Sequence, residues 1–194
     1  RFIIEKLKNG KIGENDRMDL ATKAFSYTAR YDAIINNYFN NLTKNQFPEI
    51  LNLTFKKLQD LRYGENPHQS ASFYSELFEK ESCVASSKQL QGKELWLNNI
   101  LDLNSDFELV KVFNGPAALV VKHNNPCGAA EDKDLAKAYF YAWKCDQLSA
   151  FGGIVALNRK VDVKAAKIIA KSGFLECIIA PAFDQEALVL FQDK

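Results

Sequence analysis

Only two histidines, His68 and His123, occur in this 194-residue chain, and both stand in polar, turn-forming surroundings. His123 lies within Lys122-His123-Asn124-Asn125-Pro126-Cys127-Gly128, directly after the apolar run from Ala117 to Val121. An imidazole there can take a proton near neutral pH, and an ammonium partly removed from water can stabilise a developing oxyanion. In open α/β sheets, ligands bind outside the carboxyl ends of strands, and Lys122-His123 falls at such an end. The bland alternative is a pair of solvated residues opening a loop. His68 lies within Leu61-Arg62-Tyr63-Gly64-Glu65-Asn66-Pro67-His68-Gln69. Arg62 offers a planar fork suited to phosphate, Gly64 permits close backbone approach, and Asn66-Pro67 forms a rigid turn that presents His68. Composition alone favours an ordinary polar turn, which uses the same residues.

A third cluster runs from Asp146 to Gly153 and feeds the apolar segment at Ile154. Its glycine pair, Gly152-Gly153, could turn backbone N–H groups toward a phosphate or carbonyl; a tight turn explains it equally well. Glu176 falls inside Phe174–Ile179, where a carboxylate in a buried strand costs several kcal/mol unless it is paired or binds something. An edge strand is the bland explanation. Pro126-Cys127 is half of a zinc-deaminase signature, but Ala130 stands where the second cysteine belongs and no HxE occurs, so no zinc site is expected. The chain has no GxxxxGK[ST], GxGxxG or GxSxG, which leaves P-loop, Rossmann and α/β-hydrolase chemistry without support. Ser149 as a nucleophile for His123 cannot be argued from spacing.

The elements that must position these groups follow from periodicity. Asn15 and Asp16 are candidate caps for a helix to about Asn40, with Ala24, Tyr27, Tyr31, Ile34 and Tyr38 on one stripe. That spacing predicts packing rather than ligand binding for the tyrosines, and residues 1–15 read as an irregular connector. Leu51, Leu53 and Phe55 alternate as in a half-buried strand, and Ala71–Tyr74 suggests another. From Leu97, the residues Ile100, Leu103, Phe107, Val110 and Phe113 predict a helix stopped by Asn114-Gly115-Pro116. Ala117–Val121 fits a parallel strand buried on both faces. A helix capped by Asp132 or Asp134, a strand at Ile154–Leu157, a helix at Ala165–Ala170 and a strand at Phe174–Ala180 follow. This alternation predicts an α/β fold, a layered sandwich on a mainly parallel sheet.

Composition bounds the function. With 47% hydrophobic and 25% charged residues the chain suits one sizeable domain or two small ones. Twenty-five basic against 24 acidic side chains give a net charge of +1, so no long-range field draws in nucleic acid or an anionic membrane. No apolar run approaches the roughly 18 to 20 residues of a membrane span, and residues 1–20 lack a secretory layout. A soluble, cytoplasmic protein with reduced cysteines is expected. The chain opens on Arg1 and its one methionine is Met18, so a piece of a longer polypeptide is expected as well.

Taken together, RYGENPHQ at Arg62–Gln69, KHNNPCG at Lys122–Gly128 and SAFGGIVALNRKVD at Ser149–Asp162 resemble one family. This is the bifunctional purine-biosynthesis (PurH) family, which joins aminoimidazole carboxamide ribonucleotide (AICAR) transformylase to inosine monophosphate (IMP) cyclohydrolase. LATKAFSYTARYDAIINNYF at Leu20–Phe39 is similar to the helix after that family's cyclohydrolase domain, and CIIAPAFDQEAL at Cys177–Leu188 to a later transformylase segment. The resemblance implies a connector and helix over residues 1–45 and the first part of a transformylase domain over 46–194. It also implies a cytidine deaminase-like fold without the zinc.

The activity it implies is formyl transfer from 10-formyltetrahydrofolate to the AICAR amine, with cyclohydrolase activity in another domain of the parent. By resemblance, Lys122 and His123 match the catalytic pair, with His123 as general base and Lys122 at the oxyanion. Arg62, Tyr63, Asn99, Gly152 and Glu176 match substrate-binding positions, Gly152 through its backbone, and Glu176 stands where some members carry Asp. His68 and Asn125 are supporting residues. Folate-site residues are expected in the later transformylase half, and the parent is expected to be a homodimer that binds no nucleic acid or membrane. A purine-nucleotide sensor without catalysis and a metal-dependent deaminase relative are the rival readings.

Overall fold

The computed structural model describes residues 2–78 and 81–192, which divide into two compact units, 1–56 and 57–194. In the first unit, α1 (Phe2–Lys8) occupies the stretch expected to be an irregular connector, and α2 runs from Glu14 to Leu42. Asp16 is not the cap of α2 but its third residue, and it accepts the Gly13 N–H at 3.2 Å while Lys6 donates to its other oxygen at 2.7 Å. An acidic group there satisfies a donor that the first helical turn leaves free. Asn37 donates to the Asn52 carbonyl and Asn52 to Asn36 Oδ1, both at 3.0 Å, which ties the following segment back to the helix. Tyr27, Tyr31 and Tyr38 are exposed, so the packing that their spacing predicts is not made among the described residues. Leu51 and Leu53 form no strand and are exposed too.

The second unit opens within β1 (Phe55–Asp60), which pairs with β2 (Ser72–Glu76) in a two-stranded sheet. A short 3₁₀ turn at Val84–Ser86 leads to α3 (Leu97–Val110). Then come β3 (Ala117–Lys122), β4 (Asn125–Glu131), α4 (Leu135–Cys145), β5 (Ile154–Leu157), α5 (Val163–Lys171), β6 (Cys177–Ile179) and α6 (Gln185–Phe191). Asp134 caps α4 by accepting from Ala136 at 3.1 Å, and Asp162 caps α5 by accepting from Ala165 at 2.7 Å.

The main sheet has the order β4-β3-β5-β6. It corrects the expectation of a mainly parallel sheet: β3 pairs antiparallel with both β4 and β5, and only β5 and β6 are parallel. An apolar run reports that both faces are covered, not which way the neighbours point. Alternate residues of β3 feed two cores. Ala118 and Val120, with Val155 and Leu157, pack with Tyr139 of α4, Ile169 of α5 and Phe191 of α6. Ala117 and Leu119, with Ile154, Ala156 and Ile179, pack with Ile100, Leu103 and Val110 of α3. Helices therefore cover both faces.

β4 has no counterpart among the expected strands, because Pro126 and Gly128 argue against one. Both are tolerated for local reasons. Pro126 sits on an edge strand beside a register shift, where Val120 faces Gly128 but Val121 faces Pro126, so its missing N–H costs no regular ladder bond. At Gly128 a Cβ would stand 2.0 Å from the Ala142 carbonyl oxygen and 2.8 Å from Cys145 Cβ, so glycine is what lets α4 lie against β4. No helix among the described residues is long and apolar enough to cross a membrane. Gly128→Ala is expected to lower stability by about 3 kcal/mol, as overpacking against backbone does. Urea unfolding checks this, and an unchanged midpoint would contradict the packing described.

Candidate active site

The turn that joins β3 to β4 has two residues, His123 and Asn124, between the paired Lys122 and Asn125. Both have positive φ, 53° and 58°, as a type I′ hairpin turn requires. Neither is glycine. Asp102 of α3 meets the turn from below: its Oδ2 accepts the His123 N–H at 3.1 Å and its Oδ1 accepts the Asn124 N–H at 2.7 Å. With its amide oriented as its neighbours require, nitrogen inward, Asn124 donates toward Asp102 Oδ1, the Leu101 carbonyl and Ser105 Oγ. Asn125 Nδ2 donates to the His123 carbonyl at 2.8 Å, so its supporting place is in the turn itself.

Because β5 runs antiparallel to β3, its amino end lies beside the carboxyl end of β3, and β6 begins there too. This brings segments far apart in sequence to one cleft of about 290 Å³. Its polar lining includes Asn99, Asp102, Lys122, His123 and Glu176, with Gly152 on the same wall; Trp96, Phe151, Ile154 and Phe174 supply apolar surface. Five of the expected site residues thus converge. Half-buried Lys122 donates from Nζ to the Phe151 carbonyl at 2.8 Å, which points its charge along the cleft wall that Gly152 continues. Asn99 is buried and its Oδ1 accepts the Trp96 N–H at 3.4 Å, which closes the first turn of α3.

Two expectations need correction. Glu176 is not buried in a strand: β6 starts at Cys177, and Glu176 is exposed at the cleft with only its backbone N–H held, by the Gly153 carbonyl at 3.0 Å. The desolvation argument therefore does not apply to it. The glycine pair does not present free N–H groups either, since Gly152 donates to the Phe174 carbonyl at 2.9 Å and Gly153 to the Ala150 carbonyl at 3.0 Å. Gly152 has φ +69°, so the residue serves a turn. Ser149 Oγ donates to Asp146 Oδ2 at 2.7 Å and also serves that turn.

The Arg62–Gln69 segment stands beside this cleft rather than in its lining. Arg62 donates its N–H to the Leu95 carbonyl at 3.1 Å, its guanidinium lies 5.6 Å from the Tyr63 ring centre, and the Tyr63 ring lies 4.9 Å from that of Trp96. Tyr63 thus reaches the site through Trp96. Gly64 allows a close approach, but by the Gln69 side chain of its own turn, whose Cβ a Gly64 Cβ would meet at 3.0 Å. His68 sits exposed in that turn, outside the cleft lining. A wider groove of about 550 Å³ between segment 82–93, β6 and α6 shares only Glu176 with the expected site.

Sequence reasoning missed Asp102 and Asp106, two carboxyls one helical turn apart on the face of α3 that carries Leu103 and Val110. That spacing was the available signal. Asp106 is fully buried and neither oxygen makes a hydrogen bond of normal geometry. Burial pushes it up to about 8, against the pull of the Ala156 N–H and with a further push from Asp102. Burial also raises the Cys127 thiol, and it drives Cys177 up to about 12, with Glu176 and Asp102 adding to it. Neither is a poised thiolate. Among the described residues, no group of three or more His, Cys, Asp or Glu side chains could hold a metal ion.

The chain as a whole matches one known family. The family model of the AICARFT/IMPCHase bienzyme matches residues 1–194. The chain belongs to that family. Over 194 residues it is 47% identical to the bifunctional purine biosynthesis protein PurH of Bacillus cereus. The match takes in all of this chain and 38% of the relative, so the chain spans less than half the length of that bienzyme. Lys122, His123 and Gly152 of this chain meet at one place through an antiparallel register.

Asp106 carries a sign-definite pH prediction. The folded protein keeps its proton up to about pH 8, whereas the unfolded chain releases it near the usual 3.8. Between those values the folded state binds more protons, so this group's contribution to stability falls as pH rises, and above about 8 it changes no further. Asp106→Asn should therefore gain on wild type, on the order of a few kcal/mol, between pH 5 and pH 8.5. Denaturant unfolding at both pH values measures it, and a gap that does not change with pH would contradict the buried acid.

Proposed function

We propose that the parent of this chain transfers the formyl group of 10-formyltetrahydrofolate to the amine of AICAR to give formyl-AICAR, and that the cleft at the β3–β4 turn is the nucleotide's part of that site. The observation that carries the reading is the convergence of Lys122, His123, Asn99, Gly152 and Glu176 on one cleft. The AICAR amine is a weak nucleophile, because its lone pair is delocalised into the imidazole and carboxamide. As its nitrogen bonds to the formyl carbon, His123 takes the amine proton. Lys122 stabilises the oxyanion that forms as the formyl C=O opens, which requires its ammonium to turn from the Phe151 carbonyl. When the bond from the formyl carbon to the folate nitrogen breaks, the proton held on His123 goes to that nitrogen.

Arg62 and Tyr63 are assigned to the nucleotide, Arg62 through a bidentate contact to phosphate, with Asn99 and Glu176 binding polar groups of the nucleotide. Gly152, with its N–H engaged, is assigned through its carbonyl. His68 is assigned as support for the Arg62 segment and Asn125 as support for the turn. Residues 1–45 are taken as the connector and helix after a cyclohydrolase domain, and 46–194 as the first part of a cytidine deaminase-like transformylase sandwich. The parent is read as a cytoplasmic homodimer that acts on small molecules, with IMP cyclohydrolase activity in another domain.

The test uses the full-length parent. His123→Ala and Lys122→Ala should each lower kcat for formyl transfer by about 100-fold or more, with AICAR binding retained. Arg62→Ala should weaken AICAR binding by about tenfold, and should weaken the dephosphorylated nucleoside far less. Near-normal kcat in both cleft variants would mean that the motif is structural. AICAR binding by a wild-type parent that transfers no formyl group would favour a nucleotide sensor instead.

A further inference from the structure

The turn that carries His123 has an unusual demand. Both of its residues hold positive φ without being glycine, a backbone state that L residues adopt only where their surroundings over-determine it. The over-determining contact comes from a rigid element. Ile100, Leu103 and Val110 fix α3 in the core, and from the same helix Asp102 offers one oxygen to each of two consecutive N–H groups, those of His123 and Asn124. Asp102 is only 9% exposed and makes both bonds in a setting where a lost acceptor is not replaced by bulk water. Lys122 and His123 are the last strand residue and the first turn residue, so the φ of His123 decides how the two side chains diverge into the cleft.

We infer that Asp102 is a positioning residue, whose carboxylate holds the His123-Asn124 turn in its left-handed conformation and thereby sets the working geometry of Lys122 and His123. The inference rests on the reading of those two residues as the catalytic pair. Asp102 acts through the backbone of the turn and takes no part in proton transfer. Asn is the discriminating replacement, because its amide keeps the shape and one acceptor but puts an NH2 where the second N–H must be received.

In the full-length parent, Asp102→Asn should lower kcat for formyl transfer by about 10- to 100-fold with the KM for AICAR within about threefold, as a misplacement of about 1 Å does. Hydrogen exchange at the His123 and Asn124 amides should quicken by about tenfold or more, while Ala118–Val120 stay as in wild type. Adding Asn124→Gly should restore most of kcat, since glycine takes positive φ without the clamp. Wild-type kcat in Asp102→Asn, or unchanged exchange at both amides, would overturn the inference. So would a loss of kcat that Asn124→Gly does not relieve, because the carboxylate would then act on the reacting groups directly. If Asp102→Asn does not fold, Asp102→Glu replaces it; its stem is one methylene longer and should displace the turn and lower kcat, and wild-type kcat would overturn the inference. Failure of the underlying reading is separate: it shows as near-normal kcat in His123→Ala, and the exchange result stands or falls without it.

Discussion

A strand covered on both faces has no room for a polar side chain until it leaves the sheet, and β3 obeys this from Ala117 to Val121. Its first polar residue, Lys122, is therefore also the first that can reach solvent, and the chain must turn at once to return as β4. Two cores, one on each face, hold β3 in place and fix where that point lies. The cleft chemistry depends on this constraint. A lysine placed one residue earlier, where Val121 is buried, would cost several kcal/mol.

Antiparallel pairing then assembles the rest. With β5 reversed relative to β3, the Phe151–Gly153 turn arrives beside Lys122, and its parallel partner β6 brings Glu176 to the same end. The crossover through α4 joins β4 to β5, two strands of like direction with β3 between them. That geometry needs α4 close to β4, which Gly128 allows. The asymmetry between Asp102 and Asp106 fits the same plan. One carboxyl is satisfied by two N–H groups at the cleft and the other is left protonated in the core, where a charge would be stranded.

Much of this order was legible in the sequence. Periodicity located α3, β3, β5 and α5 closely, and Asp134 was a readable cap. Strand direction was not legible, because the apolar run at Ala117–Val121 encodes burial alone. β4 was hidden by Pro126 and Gly128, whose tolerance comes from an edge position and from a neighbouring helix rather than from anything local. Glu176 read as buried because β6 starts at Cys177, three residues after the apolar run begins at Phe174. Gly152-Gly153 looked like a source of free N–H groups until Phe174 and Ala150 took them. The aromatic stripe of α2 announced a burial that the described residues do not supply. Lys122 and His123 stood out because two polar residues ended an apolar run, whereas Asp102 hid on a helix as an ordinary polar residue.

The central claim is that the β3–β4 turn delivers His123 to a nucleotide's amine. The most direct measurement is a crystal structure of the full-length parent with AICAR bound. The account predicts the nucleotide in the cleft between Lys122 and Glu176, with its amine nitrogen within about 2.6 to 3.2 Å of a His123 ring nitrogen, directly or through one water. AICAR bound away from this cleft, or with its amine turned from His123 toward another titratable side chain, would contradict it.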